Sequence, residues 1–490
     1  MTIRLLVDGR HPFKKQVTEH LVAQSAGRVE LALHFGDREA DYHAPCLQRM
    51  EVRSGRLGHL MDRRIRTGAN ISLLASEAYR EMVERGIDQL QRTSATYQYR
   101  AHNLRNLQDY LDYYHILADA YGQEIERTGA THALFLNMPH LAYDTVLYQV
   151  AQAMGLKTFV LCQTIFPQHY FSMRSIDDMG RFVHDGSEVA PLTIEKGTAP
   201  DLYYMEDRWQ QRSPRGRLGP RAVWNLLRHL ALRQPARLLD PGYIAGNLRR
   251  MSRIHGRLPD WRDPFAKFFH VNELAYFEHL AEHEDRPVDY GVPYVYAPLH
   301  NQPEMSTSAL GGLFRDQLLM IEAVARVLPE GWQIYVKENP RQGAYARGPM
   351  FFHRLSRIRG VRLVPSDANT FELSARARLT ATVSGTPGWE SLRKGRPVLV
   401  FGNPWYKSLP GVYRYGEPMH LEQIAATTVD HAALELAYGQ VMSRCHEGIV
   451  EPVYLDLVPG LDRQRNLEAV ARTCLELLEG SRAPTFGDLP

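Results

Sequence analysis

Ser384-Gly385-Thr386-Pro387-Gly388 places two hydroxyls and two glycines between an apolar run (Leu379, Ala381, Val383) and a helical one (Trp389 to Lys394). Glycines let a backbone come close to a ligand, and the unpaired N–H groups of a helix start favour an anion. Pro387 suits a first helical turn, where its missing N–H costs nothing. Glu390, about one turn further in, is within reach of sugar hydroxyls. Two other polar stretches have the same character. One is Pro298-Leu-His300-Asn-Gln302-Pro-Glu304, with Arg315 downstream; the other is Lys337-Glu338-Asn339-Pro340. Lys337, Arg315, hydroxyls and a helix start together describe a site for a phosphorylated ligand. The competing reading of the first stretch is a plain βαβ crossover whose glycines serve tight packing.

A fourth stretch, Asn137-Met138-Pro139-His140, follows the run His132 to Leu136 and precedes a helix from Tyr143 to Met154. His140 and Asp144 lie four apart, so both can face one cleft. The histidine is a candidate general base oriented by the aspartate, with Asp8 and Glu304 as reserve carboxylates. Alternatively, Asp144 serves only the helix N-terminus and His140 packs. Gln163, Thr164 and His169 follow the next strand and can line the same crevice.

The elements that must hold these residues alternate. Strands at Ile3 to Val7, Val29 to Leu33, His132 to Leu136 and Lys157 to Leu161 form one parallel set. Strands at Tyr294 to Ala297, Gln333 to Val336, Val361 to Val364, Leu379 to Val383 and Pro397 to Phe401 form another, with helices at Phe314 to Leu328 and Thr370 to Arg378. Regular alternation implies two parallel, doubly wound sheets. The fold class is therefore α/β, with two Rossmann-like domains facing a cleft and a helical insertion in the first. That insertion, about Arg56 to Arg127, carries Tyr97, Tyr99, Tyr110, Tyr113 and Tyr114 as a packing face. Residues 1–285 make the first domain, 286–460 the second, and 461–480 a C-terminal helix; the tail from Ser481 reads as loose.

Composition agrees with a soluble globular chain of 490 residues, 44% apolar and 23% charged, with a formal net charge of +3. The four cysteines (Cys46, Cys162, Cys445, Cys474) have no metal-ligand spacing and read as reduced cytoplasmic thiols. No run is long and apolar enough to span a membrane. Between Arg212 and Arg257 stand eleven arginines and one acidic residue, Asp240, interleaved with Trp224 and several leucines. This suits peripheral contact with an anionic inner-membrane surface, or a solvated helical pair with a buried apolar stripe. Nucleic acid is disfavoured, because no recognised binding module surrounds the segment. HExxH, GxSxG, Walker and kinase signatures are absent, and the first sheet lacks GxGxxG.

Three stretches, PLHNQPEMSTSALGGLFRDQ (298–317), IYVKENP (334–340) and TVSGTPGWESLRKGRPVLVFG (382–402), together resemble the bacterial capsular-polysaccharide biosynthesis proteins. That broad group includes the Kdo transferases of capsule and lipopolysaccharide assembly. LFLNMPHLAYDTVLYQVAQAMGLKTFVL (134–161) is similar to the group's first-domain segment. The resemblance implies a GT-B glycosyltransferase that moves a sugar from a nucleotide-activated donor to a saccharide or lipid-linked acceptor. No metal-ligand motif is present, so no cofactor or metal is expected, and the leaving phosphate would be stabilised by Lys337, Arg315 and backbone donors. The second domain would bind the donor, the first the acceptor, and the C-terminal helix would pack back across the domain junction. By position, Lys337 and Asn339 would contact donor phosphates, Ser384, Gly385 and Thr386 would hold the anion, and Glu390 would approach the ribose or sugar. His300, Gln302 and Glu304 would border the transferred sugar. One position departs from the pattern: Asn339 stands where the family usually has histidine, and asparagine cannot carry a proton. Two alternatives stay open, a nucleotide-sugar epimerase of the same fold and a non-catalytic binding subunit of a capsule assembly complex.

Overall fold

The computed structural model describes residues 2–9, 11–36, 46–48, 73–83, 107–140, 142–184, 186–195 and 220–255. It also describes 276–488 apart from breaks at 277–278, 281, 284–285, 303, 340–341, 343–346, 348, 367 and 417–419. Two sheets form the frame. The first has the order β13-β6-β5-β4-β1-β2-β3. Its parallel part comprises β1 (Ile3–Asp8), β2 (Val29–Gly36), β3 (Cys46–Gln48), β4 (His132–Phe135) and β5 (Lys157–Gln163). Two antiparallel strands extend it, β6 (His169–Met173) and β13 (His446–Glu447).

The second sheet is parallel throughout, in the order β12-β11-β10-β7-β8-β9. Its strands are β7 (Tyr294–Pro298), β8 (Gln333–Lys337), β9 (Val361–Val364), β10 (Leu379–Thr382), β11 (Val398–Val400) and β12 (Val412–Arg414). The strand order reverses between β1 and β4 in the first sheet and between β7 and β10 in the second. Such switch points open crevices at the carboxyl ends of strands. The expected α/β architecture, two doubly wound sheets, is the one present.

The strands form because they can be buried on both faces. Leu5, Leu6 and Val7 of β1, Ala133 to Phe135 of β4, and Val295 to Ala297 of β7 are all at most 1% exposed. Runs of this kind need helices on each face of the sheet. Of the tyrosine series, Tyr114 is fully buried in the core cluster of the first domain. Tyr97 and Tyr99 lie outside the described residues.

The two sheets share an apolar cluster. Met138 and Cys162 from the first and Met305, Leu310 and Trp389 from the second pack in it, and Cys162 Sγ lies 3.9 Å from Met305 Sδ. Because Cys162 closes β5 and Met305 follows β7, the carboxyl edges of the two sheets face each other.

The chain returns to the first sheet at β13, ahead of the C-terminal helix. That helix, Arg463–Glu479, starts on the Asp462 carboxylate, which accepts the Arg465 N–H, and ends at Gly480 in the left-handed conformation. Leu467, Val470, Ala471 and Cys474 pack with Leu5, Val7, Phe13 and Val17, so the helix covers a face of the first sheet. The tail beyond it is tied down, contrary to expectation. Phe486 N–H donates to the Ser172 carbonyl, Thr485 and Ser172 exchange bonds through backbone and hydroxyl, and Phe486 is fully buried beside Phe171. The tail is held by pairing with β6 beyond the two residues that β13 covers, and by burying Phe486.

Candidate active site

The crevice of the second sheet is built around His300, two residues past the end of β7. Its imidazole reaches β10, where Nε2 lies 3.0 Å from Thr382 Oγ1 and accepts the Val383 N–H at 3.3 Å. Nε2 thus carries a lone pair, and the neutral ring holds its proton on Nδ1. Burial, helped by the Arg347 charge, lowers the His300 pKa to about 4. Gly385 makes room for the ring, because a Cβ there would fall 2.3 Å from His300 Cε1. Gly388 makes room for Tyr406, whose hydroxyl donates to the Gly385 carbonyl. Both glycines therefore serve close packing inside the protein, the plainer of the two readings of this turn.

His300 sets a pH dependence of stability. The unfolded chain takes up its proton near pH 6.5 and the folded chain only near pH 4, so stability is complete above 6.5 and falls as pH drops through that window. Its share is about 3 kcal/mol. His446, buried against Ser172 Oγ at 2.6 Å and lowered to about 3 by burial, acts in the same direction. Urea unfolding from pH 7 to pH 4 should show the loss, and His300→Asn should make it shallower. An unchanged slope in that variant would deny His300 this role.

Three loops at the carboxyl edge of this sheet are joined into one network. Ser384 Oγ donates to the Ser306 carbonyl. Gln302 Nε2 donates to the Arg315 carbonyl at 2.7 Å, while its Oε1 accepts from Gln317 at 3.0 Å and Arg347 at 2.8 Å. Gln342 bonds both backbone groups of Gln302. Arg347 also donates to the His300 carbonyl and pairs with Glu338 at 3.0 Å, both side chains about 1% exposed. Glu338 Oε1 in turn accepts the Asn339 N–H.

The expected residues therefore divide. Lys337, at the end of β8 in register with Pro298, and Asn339, half-buried just beyond, border the network. Thr386 opens the helix Thr386–Arg393 half-buried, behind Gly385 as its N-cap. Glu304 is exposed at the head of the short helix Met305–Ser308. These are brought together with His300, Ser384 and Gly385.

Three residues have other roles. Gln302, expected beside the sugar, has its amide committed to the loop network. Glu390, expected at a ribose, is 3% exposed and paired with Arg393 at 3.2 Å, and burial raises its pKa. Arg393 also donates to the Glu195 carbonyl. Arg315, expected at phosphate, is 4% exposed and pairs with Glu77 at 3.4 Å. For Gln302 and Arg315 the partners are distant in sequence; for Glu390 the partner, Arg393, stands three residues on in the same helix. The pair Arg347–Glu338 was not expected at all. Its only sequence signal is a charged residue directly after the lysine-bearing strand.

Across the cleft, the loop after β4 presents His140. Its Nδ1 lies 2.7 Å from the Met138 carbonyl, which can only accept, so Nδ1 bears the proton and Nε2 the lone pair. The Met138 carbonyl, two residues back, is one contact that orients the ring. Asp144 lies in the first turn of the helix Ala142–Ala153 and is 2% exposed. Asp8 ends β1 opposite Phe135 of β4, on the other side of the same switch point. Gln163 and Thr164 are engaged by the β5–β6 turn, Gln163 also accepting the Val450 and Glu451 N–H groups.

Residues 306–440, which hold most of these loops, match the model of the capsule polysaccharide biosynthesis protein family. The match covers a little over a quarter of the chain. Among curated proteins no sequence match is found. Among solved structures, the β-Kdo 2,7 transferase of Thermosulfurimonas dismutans KpsC is similar at 12% identity, over 76% of this chain and 91% of that one, with a TM-score of 0.32. The β-Kdo 2,4 transferase of the same KpsC gives 15%, 63%, 79% and 0.29. The UDP-GlcNAc 2-epimerase of Methanocaldococcus jannaschii gives 10%, 98%, 100% and 0.22. Scores this low carry no argument, and the architecture rests on the strand order itself.

Proposed function

We propose that this protein is a glycosyltransferase that moves a sugar from a nucleotide-activated donor to a growing surface polysaccharide or glycolipid on the cytoplasmic side. The observation that carries the reading is the switch point between β7 and β10, whose β8 and β10 loops fall within the residues matched by the capsule-synthesis model. Lys337, Asn339, Ser384 and the helix start at Thr386 converge there. A helix start and a lysine at strand ends favour a phosphate without any metal. The donor binds on this edge and the acceptor on the facing edge of the first sheet, where His140 Nε2 takes the proton of the attacking hydroxyl.

The test is a thermal-shift panel with CMP, UDP, GDP, ADP and dTDP on the wild type and Lys337→Ala. At a hundred times its dissociation constant a nucleotide adds about 2.7 kcal/mol. The expected result is a shift with one nucleotide, reduced in the variant. No shift with any of the five favours the binding-subunit reading, which Asn339 at the family's histidine position supports. Conversion of a lone nucleotide sugar, without acceptor, would favour the epimerase.

A further inference from the structure

The basic segment divides its apolar residues between two faces. In the helix Pro220–Arg233, Leu226 and Leu230 are buried, whereas Trp224 is 65% and Leu232 75% exposed. The exposed positions Arg221, Trp224, Arg228 and Leu232 recur at three- and four-residue spacing, so they share one helix face. The turn that follows exposes Leu239 at 87% beside Arg237, whose guanidinium lies 4.6 Å from the Tyr243 ring. Asp240, the single carboxylate between Arg212 and Arg257, accepts the Tyr243 N–H at the start of the helix Pro241–His255. Met251 of that helix packs in the core of the second domain, which fixes the hairpin to the body.

We infer that this helical hairpin is a docking surface for an anionic lipid bilayer. Arginines and large apolar side chains alternate on one face, with tryptophan among them. At a bilayer surface the guanidinium groups meet lipid phosphates, tryptophan sits at headgroup depth, and leucines enter the acyl boundary. A second copy on the same face would set arginines against arginines. A nucleic acid would leave Leu232 and Leu239 uncovered by any apolar partner. No helix among the described residues is long and apolar enough to cross a membrane, so the contact is made from the surface. The inference does not depend on the proposed chemistry.

The test is cosedimentation of the full chain with vesicles of phosphatidylcholine alone, or with about one third phosphatidylglycerol, at about 0.1 M salt. Binding is expected to the anionic vesicles, falling as salt rises. Each of Arg221→Ala and Arg228→Ala should lower partition about fivefold. The triple change Trp224→Ala, Leu232→Ala, Leu239→Ala should remove most binding at an unchanged melting temperature, since all three side chains are exposed. Equal recovery with both vesicles, no binding at low salt, or full binding by the triple variant would each overturn the inference. So would a wild-type dimer that the triple variant loses, which would assign the face to a second copy. Equally tight retention by single-stranded DNA would assign it to an acidic polymer. Should a variant melt early, the lipid and salt dependence of the wild type decides.

Discussion

Arg347→Met should destabilise the folded chain by about 3–5 kcal/mol, because it strands a buried carboxylate. All three guanidinium nitrogens are in use: Nε to Glu338 at 3.0 Å, Nη1 to Gln302 at 2.8 Å and Nη2 to the His300 carbonyl at 2.8 Å. Burial already pushes the Glu338 pKa up, and Arg347 is the largest influence opposing that rise. Without the arginine, Glu338 must either stay charged in a dry site or take up a proton. Either way the loops after β7 and β8 lose their common anchor. Glu338→Gln combined with Arg347→Met should recover part of the loss, since a neutral amide needs no counter-charge. Urea unfolding of both variants measures this, and a single-variant loss below about 1 kcal/mol would show that water or a rearranged partner compensates the carboxylate. Ligand binding should suffer too. Nucleotide-induced shifts should weaken in Arg347→Met even where the protein remains folded, because Gln302 and Asn339 hang from the same network.

That network also marks where reading the sequence ran out. The strands were legible because β1 and β7 carry apolar side chains on both faces and β4 and β10 run apolar residues through a buried position, and a run such as Tyr294 to Ala297 has few other places to go. The switch-point loops followed, since polar residues after such strands must lie at the carboxyl edge of a sheet. What the loops do to one another depends on pairs distant in sequence. Gln302 lies 40 residues from Gln342 and 45 from Arg347, and no local pattern announces either bond. Glu390 illustrates the opposite error. Its position one turn into a helix was read correctly, but Arg393 on the next turn occupies its carboxylate. Gly385 and Gly388 were read first as room for a ligand and alternatively as tight packing; the groups that come close to them are His300 and Tyr406. Short edge strands such as β13, only two residues long, carry no hydrophobic pattern to read.

His140→Ala should lower the turnover of glycosyl transfer by about 10²–10⁴-fold, while nucleotide-induced stabilisation remains. The two readouts should separate because the proposed donor loops belong to the second sheet and His140 to the first. A base must present a lone pair to the acceptor hydroxyl, and the bond from Nδ1–H to the Met138 carbonyl leaves Nε2 in that state. The ring is half-buried, so part of it stays open to the cleft. His140→Gln makes the sharper comparison. Glutamine keeps a donor and an acceptor but takes no proton near neutral pH, so its rate should fall almost as far as that of alanine. Should glutamine retain full activity, hydrogen bonding alone would account for the residue. The proton would then have to go elsewhere, and Asp8 is the next group to test. It stands at the carboxyl end of β1, across the same switch point, where an acceptor oriented by His140 would meet a carboxylate.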